Sequence, residues 1–165
     1  MQKRKLPTSE ILNCLISFKT VSASSNLPLI DWVKEYLAGY GVDSTLIFDS
    51  TKEKASLHAV IGPTDQPGTV FSAHTDVVPV EGQPWETDPF ILHERNGAFY
   101  GRGACDMKGF IAAVLSKVPQ MTAARLKSPI HLALSYDEEI GCLGVHDLAA
   151  HITSLPARPK LCIVG

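Results

Sequence analysis

The chain has 165 residues with 15 basic and 17 acidic side chains, and its net charge of −2 without any lysine or arginine block argues against a nucleic-acid-binding or membrane-surface protein. Its 45 % of hydrophobic residues can form a real core, and the length suits one domain or part of a larger one. No apolar run approaches the roughly eighteen residues that span a bilayer, and none forms a signal-peptide core, so we expect a cytoplasmic protein.

The first half of the chain predicts two helices followed by three strands. Apolar residues recur at helical spacing in LPTSEILNCLISFKTV (6–21), where Thr8 or Ser9 is a candidate cap, and in NLPLIDWVKEYLAGYG (26–41), which ends at a glycine. Strands are predicted at about 44–48, 56–61 and 69–73, with turn residues between the last two.

The second half alternates strands with helices. A hairpin with Asn96-Gly97 at its turn is predicted for ILHERNGAFYGRG (91–103). Then follow a helix in DMKGFIAAVLSKVP that ends before Pro119, a doubly buried strand in IHLALSY (130–136), a short helix in LGVHDLAAHI (143–152) and a strand in PKLCIVG (159–165). Buried strands separated by helices indicate an α/β fold with a mostly parallel sheet flanked by helices.

Polar side chains follow the ends of these strands. His74 and Asp76 stand two residues apart in FSAHTDVVPV (71–80), so they share one face near the edge where open α/β sheets bind ligands. Asp106 begins a predicted helix, and Glu138 and Glu139 follow the buried strand at 130–136. An imidazole among several carboxylates favours a divalent metal, with zinc first and manganese or cobalt as alternatives.

Elementary coordination chemistry assigns a role to each of these side chains. His74 would bind metal through one ring nitrogen while Asp76 accepts the other ring N–H and fixes the tautomer. Asp106 could bridge two metal ions. Glu138 and Glu139 point in different directions, so one can bind metal while the other acts as general base, and the residues alone do not order them.

Two other classes of function compete with a hydrolase. The stretch GRGACD begins like a dinucleotide-binding fingerprint, but Asp106 stands where the third glycine belongs and would repel a pyrophosphate. A non-catalytic binding module could use the same fold, and metal content together with activity would separate the two. The remaining histidines are expected to be structural; they are His58, His93, His131, His146 and His151.

Three stretches carry a resemblance to a known family: SAHTDVVPVEGQPWETDPF (72–90), YGRGACDMKGF (100–110) and LSYDEEIGCLG (134–144). In order and spacing they resemble the two-zinc amidohydrolases and metallopeptidases, which include acetylornithine deacetylases, succinyl-diaminopimelate desuccinylases, aminoacylases and carboxypeptidases. The resemblance implies two zinc ions per complete site. It makes His74 a ligand of one ion, Asp76 its orienting residue, Asp106 the bridging ligand before a cis peptide, Glu138 the general base and Glu139 a ligand of the other ion.

The same resemblance implies a substrate and a larger protein. VPVEGQPW and SYDEEIGCLG are most similar to the acetylornithine deacetylases, which implies hydrolysis of N-acetyl-L-ornithine in arginine biosynthesis. A desuccinylase or another N-acyl amino acid or dipeptide hydrolase is the alternative. Because family members are longer, we expect residues 1–165 to be the N-terminal part of a catalytic domain. The C-terminal half and the dimerisation domain of a homodimeric enzyme would then be absent, and the segment would be inactive alone.

Overall fold

A computed structural model describes residues 5–165 of the chain. Its elements are α1 (Thr8–Ser17), α2 (Leu27–Ala38), β1 (Ser44–Phe48), β2 (Ala55–Ile61), β3 (Thr69–His74), β4 (His93–Arg95), β5 (Ala98–Tyr100), α3 (Lys108–Ala123), β6 (Ile130–Ser135), α4 (Val145–Thr153) and β7 (Leu161–Val164). None of the helices in this described range is long and apolar enough to cross a membrane.

The main sheet has five strands in the order β1-β2-β6-β3-β7. The pairs β6–β3 and β3–β7 are parallel, whereas β2 is antiparallel to both β1 and β6. Four strands therefore run in one direction and β2 alone is reversed, which confirms the mostly parallel α/β sheet. Strands β4 and β5 form the predicted hairpin as a separate sheet.

Helices cover both faces of the sheet. One face packs against α1, α2 and α3, and the buried apolar residues of the first two helices line this core; they include Ile11, Leu12, Leu15, Ile16, Leu29, Ile30, Val33 and Leu37. The other face packs against α4 through Val70, Ala133 and Leu148. Side chains alternate between these two faces along each strand.

The α4 face also holds a chain of three imidazoles. Nε2 of His58 lies 3.0 Å from Nδ1 of His131, and Nδ1 of His58 lies 3.1 Å from Nε2 of His151 on α4. His58 and His131 are only 3 % exposed. The three residues come from β2, β6 and α4, so this chain of hydrogen bonds joins the helix to the sheet.

The prediction that Pro119 ends its helix is wrong, because α3 continues to Ala123. Proline lacks the N–H that would donate to the carbonyl of Leu115, four residues earlier. That carbonyl instead accepts a hydrogen bond of 3.1 Å from the hydroxyl of Tyr36, a buried residue of α2. A neighbouring helix thus satisfies the group that the proline leaves free.

Candidate metal centre

The candidate site forms where β3 and β6 end side by side. The two strands are parallel neighbours, and their register pairs His74 with Ser135, the last residue of each. The N–H of Thr75 then donates to the carbonyl of Ser135 at 2.9 Å, so the chains leave the sheet together. The segments that carry Asp76 and the two glutamates therefore start from the same edge.

His74 is buried at this edge with both ring nitrogens engaged. Its Nδ1 lies 3.0 Å from the backbone carbonyl oxygen of Asp76 and 3.4 Å from the Asp76 carboxylate. Its Nε2 lies 3.0 Å from Oδ1 of Asp106 and 3.8 Å from Oε2 of Glu138. Burial alone would lower the pKa of His74, but its hydrogen bonds to Asp76 and Asp106 outweigh burial and raise the pKa to about 9.

Asp76 contacts the segment that carries the glutamates as well as the histidine. It is 2 % exposed, and its carboxylate accepts the backbone N–H of Glu138 at 3.0 Å and that of Glu139 at 3.2 Å. The hydroxyl of Ser22 donates to the same carboxylate at 2.6 Å. Burial would raise the pKa of Asp76, but these hydrogen bonds and the one to His74 lower it to about 2. The carboxylate is therefore held in its ionised form.

Three of the predicted ligands lie together. Donor atoms of His74, Asp106 and Glu139 all fall within 4.8 Å of one another, and no other such group occurs among residues 5–165. Burial, followed by the nearby charge of Asp106, raises the pKa of Glu139. Both observations fit a cation at this position, because a divalent ion would offset the crowded negative charge. One imidazole and two carboxylates are ligands that zinc accepts.

Asp106 reaches this group from the segment just before α3. The Asp106–Met107 peptide bond is cis, as the family resemblance implies. The helix is capped at Met107 without any side-chain hydrogen bond, so Asp106 does not serve as its N-cap. Its side chain is 71 % exposed and faces His74. The more ordinary structural explanation for an aspartate at a helix start therefore does not apply here.

Glu138 lies beside the three-residue group without being part of it. Its carboxylate is 42 % exposed, and Sγ of Cys142 lies 3.6 Å from its Oε1. An open pocket of about 300 Å³ includes His74, Asp106, Glu138 and Cys142 in its lining. A carboxylate on such a pocket can reach both a ligand and water.

Two cationic residues near the site do not reach this pocket. Lys108 is fully buried, and its Nζ donates to the backbone carbonyl of Phe18 at 2.7 Å. Burial lowers the pKa of Lys108 to about 7, and Asp76 partly opposes that shift. Arg102 lies over the ring of Trp85 and donates to Gln83. Neither side chain lines the pocket beside the three candidate ligands.

Comparison with known proteins identifies similar sequences. The sequence profile of peptidase family M20/M25/M40 matches residues 70–165. Acetylornithine deacetylase of Pasteurella multocida is 33 % identical over 98 % of this chain, and that of Shigella sonnei is 35 % identical over 99 %. The chain spans 44 % of the length of each of these relatives.

Solved structures share the fold at lower sequence identity. Human carnosine dipeptidase 1 is 21 % identical with a TM-score of 0.80, and 96 % of this chain covers 38 % of it. An M20 family metallo-carboxypeptidase of Sulfolobus solfataricus is 24 % identical with a TM-score of 0.81, and 96 % of this chain covers 37 % of it. At such identities the likeness establishes the fold alone.

Proposed function

Because the chain belongs to peptidase family M20/M25/M40, we propose that the whole protein hydrolyses the amide bond of an N-acyl amino acid at a metal centre. One observation carries the proposal: His74, Asp106 and Glu139, from three separate segments, bring their donor atoms within 4.8 Å of one another. Asp76 holds this group in place: its backbone carbonyl contacts Nδ1 of His74, and its carboxylate accepts the backbone N–H groups of Glu138 and Glu139.

We infer that two zinc ions occupy the complete site, with cobalt or manganese as substitutes. His74 and Asp106 would hold one ion, and Asp106 and Glu139 would hold the other. The donor set and the raised pKa of Glu139 support this assignment. The buried Asp76 fixes the ring of His74, a role that metal-binding histidines usually require.

The ions, when bound, would polarise the acyl carbonyl and acidify water. Glu138 is the proposed general base: its carboxylate takes a proton from water and passes it to the leaving amine. Its place beside the ligand group, in contact with the open pocket, supports this role. Asp76 holds the N–H of Glu138, so it also positions the base.

The proposed substrate is N-acetyl-L-ornithine, cleaved to L-ornithine and acetate in arginine biosynthesis. The two acetylornithine deacetylases at 33 % and 35 % identity support this choice. A succinyl-diaminopimelate desuccinylase is the second candidate, and the likeness in fold to a dipeptidase keeps dipeptides as a third. We further propose that the whole protein is a cytoplasmic homodimer that binds neither nucleic acid nor membrane.

The test compares these substrates on the zinc-loaded protein, assayed as residues 1–165 and as the complete polypeptide that its gene encodes. We expect the complete polypeptide to cleave N-acetyl-L-ornithine with the highest kcat/KM, and the 165-residue segment to be inactive. Zinc removal should abolish turnover and Glu138→Gln should lower it by about two or more orders of magnitude. Glu94→Gln, at an exposed hairpin residue, should leave it unchanged. Bound zinc without amine release from any substrate would favour the binding module instead.

A further inference from the structure

An ion pair between the partly buried Lys54 and the buried Asp137 lies next to the two glutamates in the fold. Asp137, the residue before Glu138, is 5 % exposed, and its carboxylate contacts the ammonium of Lys54. The same carboxylate accepts the backbone N–H of Ala23 at 3.3 Å. Burying a carboxylate is costly unless it is paired and hydrogen-bonded, so both contacts are needed to keep Asp137 inside.

Lys54 reaches this position because β2 is the reversed strand. Its N-terminal end lies at the edge where the neighbouring β6 has its C-terminal end, and the register pairs Leu57 with Leu134. Lys54 precedes β2 by one residue, at the end of the turn from β1. Asp49 closes that turn, because its carboxylate accepts the N–H of Lys54 at 2.9 Å. The backbone of Lys54 is therefore held in place by a hydrogen bond within the turn.

Asp137 in turn begins the compact turn that carries the glutamates. Its carbonyl accepts the N–H of Leu143 at 3.0 Å, and the carbonyl of Glu138 accepts those of Gly141 and Cys142 at 3.0 and 2.9 Å. Asp76 holds the N–H groups of Glu138 and Glu139. The turn therefore has two carboxylate anchors, Asp76 and Asp137, and Lys54 is the counter-ion of the second.

We propose that Lys54 is a positioning residue for the metal centre: through Asp137 it fixes the turn that presents Glu138 and Glu139. The consequence for metal affinity rests on the proposed function, whereas the consequence for the order of the turn does not. Loss of a group that is hydrogen-bonded to a metal ligand typically lowers metal affinity about 10- to 100-fold. Lys54 acts through one further residue, Asp137, so we expect the lower end of that range. The same loss should loosen the hydrogen bonds from Glu138 and Glu139 to Asp76.

The experiment places Lys54→Met, Lys54→Arg and a control, Lys52→Met, in the complete polypeptide. The control removes the same charge from an exposed residue of the same turn. Two quantities are measured below the unfolding temperature: the Kd for Zn²⁺, and hydrogen exchange of the amides at 138 and 139 without metal. We expect Lys54→Met to raise the Kd about 10-fold and to speed exchange. Lys54→Arg keeps the positive charge, so its Kd and exchange rates should stay near those of the wild type. Lys52→Met should change neither the Kd nor the exchange rates.

Each outcome decides a separate point. An unchanged Kd and unchanged exchange in Lys54→Met, even with a lower unfolding temperature, would show a merely structural ion pair and overturn the inference. A complete wild-type polypeptide that binds no zinc would instead refute the proposed metal centre, and the exchange rates would still test the turn. If Lys54→Met fails to fold, Lys54→Met with Asp137→Asn removes both charges together, and the same rise in Kd and in exchange is expected.

Discussion

At the scale of single residues, adjacent glutamates differ in what surrounds them. Glu139 belongs to the group of donor atoms within 4.8 Å, whereas Glu138 lies beside it on the pocket. The sequence predicts that two such neighbours divide the roles, but it does not assign them. The family resemblance supplies the assignment, which stays a prediction.

The assignment predicts different effects for two equal substitutions. Glu138→Gln should leave the zinc content near normal and lower turnover of the complete polypeptide by about two or more orders of magnitude, because a general base is lost. Glu139→Gln should instead weaken zinc binding. Metal analysis and steady-state kinetics on both variants provide the check. If Glu138→Gln loses zinc while Glu139→Gln keeps it, the two roles are reversed.

The candidate ligands were predictable because they follow strand ends, where the local pattern and the parallel sheet together imply a cluster. The contacts that organise them were not. Asp76 meets Glu138 across 62 residues, and Lys54 meets Asp137 across 83, with no local signal for either pair. Such contacts depend on strand order and on the reversal of β2, which periodicity does not encode.

At the scale of secondary-structure elements, the strand predictions at 44–48, 56–61 and 69–73 differ from β1, β2 and β3 by at most one residue at either end. Turn residues and apolar runs mark those boundaries clearly. The prediction at Pro119 is wrong because a proline removes only one local hydrogen bond. The hydroxyl of Tyr36 on α2, which is far away in sequence, replaces it. The predicted cap at Thr8 or Ser9 is also wrong, because the helix begins at Thr8 with Pro7 as its N-cap and without a side-chain cap, and the Thr8 hydroxyl donates to Ser116 of α3 at 3.0 Å.

The replacement of that hydrogen bond predicts coupling between Tyr36 and Pro119. Tyr36→Phe should lower the free energy of unfolding by about 1–3 kcal/mol, because the buried carbonyl of Leu115 loses its donor. In a Pro119→Ala background the new N–H can donate to that carbonyl, so the same substitution should cost less. Urea denaturation of the four proteins measures the coupling. Equal costs in both backgrounds would contradict it.

The imidazole chain predicts that attachment of α4 depends on pH. Burial, followed by the charges of His131 and His151, lowers the pKa of His58 to about 4 from 6.5. The folded protein then binds fewer protons than the unfolded chain between these values. The free energy of unfolding is therefore unaffected by His58 above pH 6.5. It falls by up to about 3 kcal/mol as the pH drops from 6.5 towards 4.

Urea denaturation from pH 7.5 down to pH 4.5 measures this loss. His58→Phe fills the space without taking up a proton, so we expect its stability to vary less with pH. His146→Gln on the exposed side of α4 is the matched control and should retain the wild-type dependence. A wild-type slope in His58→Phe would show that other groups cause the loss.

At the scale of the whole molecule, the sheet has an open side at β7. All four residues of this edge strand are exposed, including Leu161 at 55 % and Val164 at 70 %. An apolar pocket of about 380 Å³ lies between this strand and α4. Unpaired edge strands with apolar side chains readily pair with further chains.

We therefore expect residues 1–165 to self-associate when expressed alone. Ile163→Lys places a charge on the open strand and should shift the chain towards monomer, because a charged edge opposes strand pairing. Ile91→Lys changes an equally apolar exposed residue outside β7 and serves as the control. Sedimentation velocity over a range of concentrations measures both variants. A wild-type chain that stays monomeric would contradict the expectation.

The shared carboxylate of Asp76 has a consequence for motion. It contacts His74 on one side and the amides of Glu138 and Glu139 on the other, so displacement of one side carries the other with it. We therefore expect thermal fluctuations of the sheet edge to move the imidazole and the glutamates together, so that their mutual spacing varies less than the position of either.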